Sequence, residues 1–202
     1  MPIGVIMAIF ALVCLMFAAP AQAAQLFPLQ TGQWMEQDKQ DNLGTKWTVR
    51  VDVLEEVTHD GKKYFHVREL NYDGPGTGEN NNYIRSTDTE LFIYRGAGVE
   101  EPAFKLGDVG TNWTYEGGAT KKEIMAIENI TIPCGGTYRA YKYRQHPIND
   151  LTEYQFEWVV PGLGWIAKEE DHWGVNTVAV LARMKTNPLR RGGPAVNLLL
   201  LD

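Results

Sequence analysis

The chain has 202 residues, with 19 Lys and Arg against 25 Asp and Glu, for a net charge of −6 at pH 7. An acidic balance with no basic stripe repels phosphate backbones, which argues against nucleic acid as a partner. Of the two cysteines, Cys14 lies in an N-terminal apolar run. Cys134 is then the only thiol of the remaining chain, so no intramolecular disulfide can form there and stability must come from packing.

Met1 to Phe17 is an apolar run without a charged side chain. Ala18-Ala19-Pro20-Ala21-Gln22-Ala23 follows, the small-x-small pattern a signal peptidase needs. Residues 1–23 are therefore expected to be a cleavable signal peptide, with only the α-amino group where a basic n-region is usual. A membrane anchor is the alternative, but the run reaches the roughly 18 residues needed only if Ala18 and Ala19 are counted. The cleavage motif and the lack of a basic flank favour removal. Cys14 follows Val13 rather than a small residue, which argues against lipid attachment. The expected location is a bacterial periplasm or the exterior, and the cleaved chain is not expected to be an integral membrane protein.

Residues 24–186 read as one antiparallel β domain. Trp47 to Val53 alternates apolar and polar side chains, the period of a half-buried strand, and runs on to Val57. Asp60-Gly61 supplies a turn, and Tyr64 to Leu70 returns. Asp73 to Asn82 has no apolar residue and reads as a hairpin tip. A phosphate cradle would open a helix, whereas this stretch has acids on both sides and a strand after it. Further strands are expected at Tyr83–Thr87, Glu90–Arg95, Asn112–Glu116, Lys121–Ile132, Thr137–Arg144, Leu151–Val160, Trp165–Glu170 and Val175–Met184. Ile124, Ile127 and Ile130 fit either period, so a helical turn over Glu123–Glu128 stays open. The tail 187–202 breaks regular structure and ends on Leu198 to Leu201. That run is expected to add an edge strand or cover the core, with partner binding as the alternative.

Leu26-Phe27-Pro28-Leu29-Gln30-Thr31-Gly32-Gln33-Trp34 has an echo in Phe104-Lys105-Leu106-Gly107-Asp108-Val109-Gly110-Thr111-Asn112-Trp113. Two matches hint at two similar halves. Together with Ile132-Pro133-Cys134-Gly135-Gly136-Thr137-Tyr138 and Trp158-Val159-Val160-Pro161-Gly162-Leu163-Gly164-Trp165, the opening phrase resembles a group of exported bacterial β-rich proteins and lipoproteins. Their shared phrases are an aromatic-Pro-Leu…Gly…Trp opening, a central Val-Pro-Ala-Gly-x-Phe and a late aromatic-x-Pro-Gly-Val-Gly. The resemblance implies a strongly curved antiparallel sheet, like that of lipoprotein-carrier half-barrels, and brings no reaction or catalytic residue with it. Cys134 departs from the pattern, standing where Ala is usual, with an extra glycine beside it.

Catalytic constellations are thin. Ser86 is the only serine and sits in Arg85-Ser86-Thr87-Asp88, not on a Gly-x-Ser-x-Gly elbow. A cysteine enzyme would need Cys134 activated by His146 or His172, with Arg139 or Arg144 assisting. The bland reading is a buried, inert thiol. His59, His66, His146 and His172 lack metal-ligand spacing, and neighbours in Glu169-Glu170-Asp171-His172 point to opposite faces of a strand. No metal and no cofactor is expected.

The aromatic content is the remaining lead. Trp34, Trp47, Trp113, Trp158 and Trp165 either fill the core or line a concave surface for an apolar ligand. The expected fold is all-β, a single strongly curved antiparallel sheet forming a half-barrel or open barrel, with a β-sandwich as runner-up. The expected function is non-enzymatic binding of a lipid or another apolar small molecule, or service as an envelope accessory factor. The alternative is an interaction module that docks on an envelope protein through a sheet edge or the tail. A persistent apolar cavity would mark the first, a filled core the second.

Overall fold

The computed structural model describes residues 25–72, 78–132, 136–172 and 175–185. The signal 1–23, the glycine-rich residues 73–77, Cys134, Trp173 and the tail 187–202 lie outside the described residues, as does the side chain of His172.

Twelve strands follow in chain order: β1 (Trp34–Asp41), β2 (Lys46–His59), β3 (Lys62–Asn71), β4 (Gly78–Ser86), β5 (Glu90–Gly96), β6 (Val99–Lys105), β7 (Asn112–Tyr115), β8 (Thr120–Ile132), β9 (Gly136–Pro147), β10 (Tyr154–Val160), β11 (Gly164–His172) and β12 (Val175–Lys185). They form one antiparallel sheet in the order β6-β5-β4-β3-β2-β1-β12-β11-β10-β9-β8-β7, curled into a nearly closed barrel with no helix among the described residues. The expected single curved sheet is therefore what forms, and the sandwich is not.

Two strands escaped the sequence reading. After Met35, β1 runs Glu36-Gln37-Asp38-Lys39-Gln40-Asp41 with no apolar side chain to alternate. It is a strand because ladders hold it on both sides, β2 on one and β12 on the other. β6 carries Glu100, Glu101 and Pro102, a turn-like composition. As an edge strand it needs backbone donors on one side only, which Pro102 allows. β4 begins at Gly78 rather than Tyr83, because Asn80 to Asn82 pair with β3. Glu123–Glu128 is strand, not helix, and a register shift between Ile124 and Ala126 explains its ambiguous spacing.

The echo in sequence is a repeat in structure. Gly32 N–H bonds to Val53 O at 2.8 Å and Val53 N–H to Gln33 O at 2.9 Å, while Gly110 N–H bonds to Ile124 O at 2.8 Å and Ile124 N–H to Thr111 O at 2.9 Å. Both glycines need positive φ, 82° and 93°. Beside each contact lies a register shift, at Val53/Glu55 and at Ile124/Ala126. Aligned on the glycines, Met35 matches Trp113, both buried, whereas Trp34 matches Asn112. The tryptophans that suggested the echo are one residue out of step. β1–β6 and β7–β12 are the two halves, and β1 pairs with β12 to join them.

The other join is a seam between β6 and β7, held by side chains. Trp113 Nε1–H donates to Pro102 O at 2.8 Å and Tyr143 O–H to Lys105 O at 2.9 Å. The Glu101 carboxylate accepts from Glu116 N–H at 3.1 Å and Gly117 N–H at 2.6 Å.

One end of the barrel is plugged by the segment before β1. Leu26 N–H bonds to Thr87 O at 2.9 Å, and Leu26 O accepts from Gly162 N–H at 3.1 Å. Ser86 is explained here, since its Oγ accepts from Phe27 N–H at 2.9 Å. Leu26, Phe27 and Leu29 are buried, and the Phe27 ring packs 5.0 Å from Trp165 and 5.7 Å from Phe104. A Cβ on Gly164 would lie 3.0 Å from Phe27 Cδ1, so the plug needs glycine there. Phe27→Ala should cost about 3–5 kcal/mol in urea unfolding. Leu43→Ala, at a turn residue 80% exposed, should stay within about 0.5 kcal/mol.

Candidate functional site

Opposite the plug, the inward positions of the strands change from apolar to charged. Register fixes which residues these are. Lys39 stands opposite Trp47 on β2 and Ala179 on β12. Glu69 faces Val51, and Glu157 lies between Tyr143 and Lys168. Lys122 lies between Trp113 and Gln145, and Glu170 pairs with Gln155 and Thr177. Three lysines and three glutamates thus share the lumen of this open end.

Their environments differ. Lys122 is 2% exposed, and its Nζ lies 2.5 Å from Glu157 Oε2 and 3.6 Å from the centroid of Phe104. Burial pulls this ammonium below the ordinary lysine range, against the opposing pull of Glu157. Lys168 forms an ion pair with Glu170. Burial alone would lower it, but the carboxylates of Glu170 and Glu157 outweigh that and hold it above the ordinary value. Lys39 is half-buried and lowered, by burial first, with Glu170 offsetting part of the effect. Burial raises the Tyr115 and Tyr143 hydroxyls, and the charge of Glu157 adds to it.

The apolar end of the lumen has little room. Its two best-formed cavities measure about 20 and 50 Å³. The first lies among Phe27, Leu29, Met35 and Trp165, and the second runs from Leu91 and Trp165 up to Glu69 and Asn82. Trp165 Nε1 is buried there with no hydrogen-bond partner among the described residues. Pockets for organic ligands commonly measure ~300–1,000 Å³.

The five tryptophans do not share one site. Trp34 alternates with inward Met35 and so stands on the outer face, where Arg50 lies 4.7 Å from its ring. Trp158 alternates with inward Glu157, donates to Glu128 Oε1 at 2.6 Å and carries Lys142 over its ring. Trp113 is at the seam, and Trp165 packs with Phe27 and Phe104 in the plugged end. Trp47 alone stands among the lumen charges.

The lumen charges were the part that sequence reasoning missed. A signal existed, since Lys122 shares its face with Ile124 and Glu157 with Val159. In β10, however, Tyr154, Phe156 and Trp158 alternate so regularly that a period of two assigns them inward. Glu157 takes the inside instead, because Lys122 waits across β9.

Other candidate chemistry stays scattered. His66 Nε2 is 2.7 Å from Asn81 Oδ1, His146 Nδ1 is 2.7 Å from Pro147 O, and His59 stacks on Tyr94. No group of three metal-ligating side chains occurs among the described residues. Ile132 and Gly136 pair at one end of the β8–β9 hairpin, and Cys134, between them in sequence, lies outside the described residues. His146 pairs with Lys121 near the other end, roughly 30 Å away at 3.4 Å per residue.

A second ionised cluster lies in the first half, on β6. Glu100 accepts from Arg85 Nε at 2.8 Å and Tyr64 O–H at 2.8 Å, and pairs with Lys62. The Arg85 bond is the largest influence, and with Lys62 and Tyr64 it outweighs burial and holds the carboxyl at about 2. Burial and the bond to Glu100 push the Tyr64 hydroxyl up to about 12.

The architecture defines a meander barrel with a plugged end and a charged open end. No family model matches the chain, and no curated protein does. Solved structures do. One is a Bacteroides fragilis protein described as exported, with a YmcC-like fold: 14% identity, 81% of this chain and 100% of that one covered, TM-score 0.56. At that identity the likeness is one of fold alone. A Parabacteroides distasonis protein described as a lipoprotein covers the same shares at 16% identity and TM-score 0.46. LprF from Mycobacterium bovis covers 81% of this chain and 87% of its own at 10% identity and TM-score 0.27.

Two outcomes test this account of the charges. Lys122→Met alone should cost about 3–5 kcal/mol in urea unfolding by stranding Glu157, and Lys122→Met with Glu157→Leu should recover most of it. Glu100 has a folded pKa of about 2 against an ordinary 4.5, so its stabilisation is complete above pH 4.5 and lost as pH falls towards 2. The stability gap between the natural chain and Glu100→Gln should therefore shrink by an amount on the order of 3 kcal/mol across that window, read from urea midpoints at each pH.

Proposed function

We propose that this is an extracytoplasmic, non-enzymatic domain that acts by binding at the open end of its barrel, with a polar rather than an acyl-chain ligand. The filled interior carries this reading. Leu26, Phe27 and Leu29 occupy the apolar end, and the two best-formed cavities among the described residues, about 20 and 50 Å³, are too small for a fatty chain. The inward positions at the other end are charged. Export is supported by the small-x-small motif after the apolar run, and by the description of the Bacteroides fragilis protein of the same fold as exported.

The outer wall supports a water-facing barrel. Arg50 bonds to Asp52 at 2.9 Å and to Glu36 at 3.4 Å, Arg68 reaches Asp52 at 3.3 Å, and Arg183 reaches Glu36 at 2.7 Å. A membrane barrel carries an apolar band there instead. No helix of the described residues is long and apolar enough to cross a membrane.

A second reading, docking on an envelope protein, draws on Leu43, Tyr72, Ile148 and Leu151, which are exposed on turns at the open end. Docking through a sheet edge has less support, since β6 and β7 face each other and β6 carries Pro102. Native mass spectrometry of protein purified from a periplasm, followed by solvent extraction, tests the main reading. A bare mass or a small polar adduct is expected, and a fatty or other lipid adduct would overturn it.

A further inference from the structure

We propose that Lys39 anchors a site for a small organic monocarboxylate in the open end of the lumen. The proposal rests on the binding function above and names its ligand class.

Position is the first argument. Lys39 sits on an inward position of β1, directly opposite Trp47 on β2 and Ala179 on β12. The charges it feels are Glu170 and Lys168 on β11 and Glu69 on β3, which lie two strands away on either side. Alternation along β1 puts Lys39 on the same inward face as buried Gln37 and Asp41.

Pairing is the second. Lys122 has Glu157 and Lys168 has Glu170. Among the described residues no carboxylate, hydroxyl or carbonyl bonds to Lys39. The nearest acid along its own strand face, Asp41, is committed elsewhere, because its Oδ1 accepts from Leu43 N–H at 3.0 Å and Thr45 N–H at 2.8 Å. An ammonium drawn partly out of water with only the longer-range carboxylates of Glu170 and Glu69 to offset it is unfavourable, and an arriving anion in direct contact reduces that penalty. Burial already disfavours the lone charge, in line with its lowered pKa.

The surroundings select the ligand. Lys168 also acts on Lys39 but is already paired with Glu170, and Glu69 remains as an opposing carboxylate, so a dianion such as phosphate would bring more negative charge than Lys39 can offset. A single negative charge fits. Trp47 and Ala179 give the site apolar flanks, and Val49 and Val51 continue the Trp47 face inward, which suits a short hydrocarbon body. The filled lumen below limits its length.

The test is an amide-resonance titration of the isotopically labelled mature protein with butyrate, butylamine and inorganic phosphate. Butyrate should shift signals around residues 37–41 and 47–49 saturably, while butylamine and phosphate should not. Lys39→Met should weaken butyrate binding about tenfold or more, the worth of a charged hydrogen bond, and Lys39→Arg should retain part of it. Without ligand, Lys39→Met should raise the urea midpoint, because it removes an unpaired charge; a lysine with a merely structural role would lower it. Butyrate shifts that persist in Lys39→Met overturn the anchor. Shifts with butylamine or phosphate instead overturn the ligand class. Silence from all three probes overturns the carboxylate site. The broader binding reading falls separately, on a lipid adduct in the native mass.

Discussion

One residue before the first strand, Leu26, ties the two halves of this barrel together at its plugged end through both of its backbone polar groups. The N–H of Leu26 bonds to the β4–β5 turn at Thr87, and its carbonyl accepts from the β10–β11 turn at Gly162. Those turns occupy equivalent places in the two halves, so the segment before β1 ties one half to the other at the end where no strand does so. The Leu26, Phe27 and Leu29 side chains then fill the lumen from below. The arrangement turns a curved sheet with room for a guest into a packed core. It also accounts for Gly164, whose missing Cβ gives the Phe27 ring its place.

With apolar packing concentrated at one end, the other end has to solve a different problem. Lysines and glutamates on inward positions are costly unless paired, and a buried ion pair seldom stabilises more than well-packed hydrocarbon would. What the pairs supply is position. Lys122 on β8 meets Glu157 on β10 across β9, and the Lys122 ammonium lies 3.6 Å from the Phe104 ring of β6, so the pair ties the second half to the edge strand of the first. Lys168 and Glu170 do the same locally on β11. Lys39 and Glu69 stand outside these two pairs, and they give this end its chemical character.

The fold class was legible because Trp47–Val53 and its return alternate cleanly and no helical stripe competes. The repeat was half legible. Gly32 and Gly110 mark it in sequence because both need positive φ, but Trp34 and Trp113 pulled the alignment one residue off. β1 was illegible for a physical reason: a strand held by ladders on both sides can form without apolar side chains, and only apolar side chains leave a periodic trace. The lumen charges were hidden by the same logic in reverse. On β10 the aromatics face outward, where Lys142 covers Phe156 and Trp158 at 4.4 and 4.8 Å, so hydrophobicity pointed to the wrong face.

The two joins between the halves show how far the repeat has diverged. β1 and β12 share a ladder from Trp34 and Lys185 to Asp41 and Thr177. The equivalent partners, β6 and β7, have no ladder, and β7 has shrunk to Asn112–Tyr115. Side chains have taken over the backbone's role there. Trp113 and Tyr143 satisfy carbonyls of β6, and Glu101 satisfies amides of the β7–β8 turn. An exposed pair of edges would invite strand addition from another chain. Covered by aromatic donors and broken by Pro102, these edges are poor templates, and that moves the accessible chemistry of the molecule to the end of the barrel.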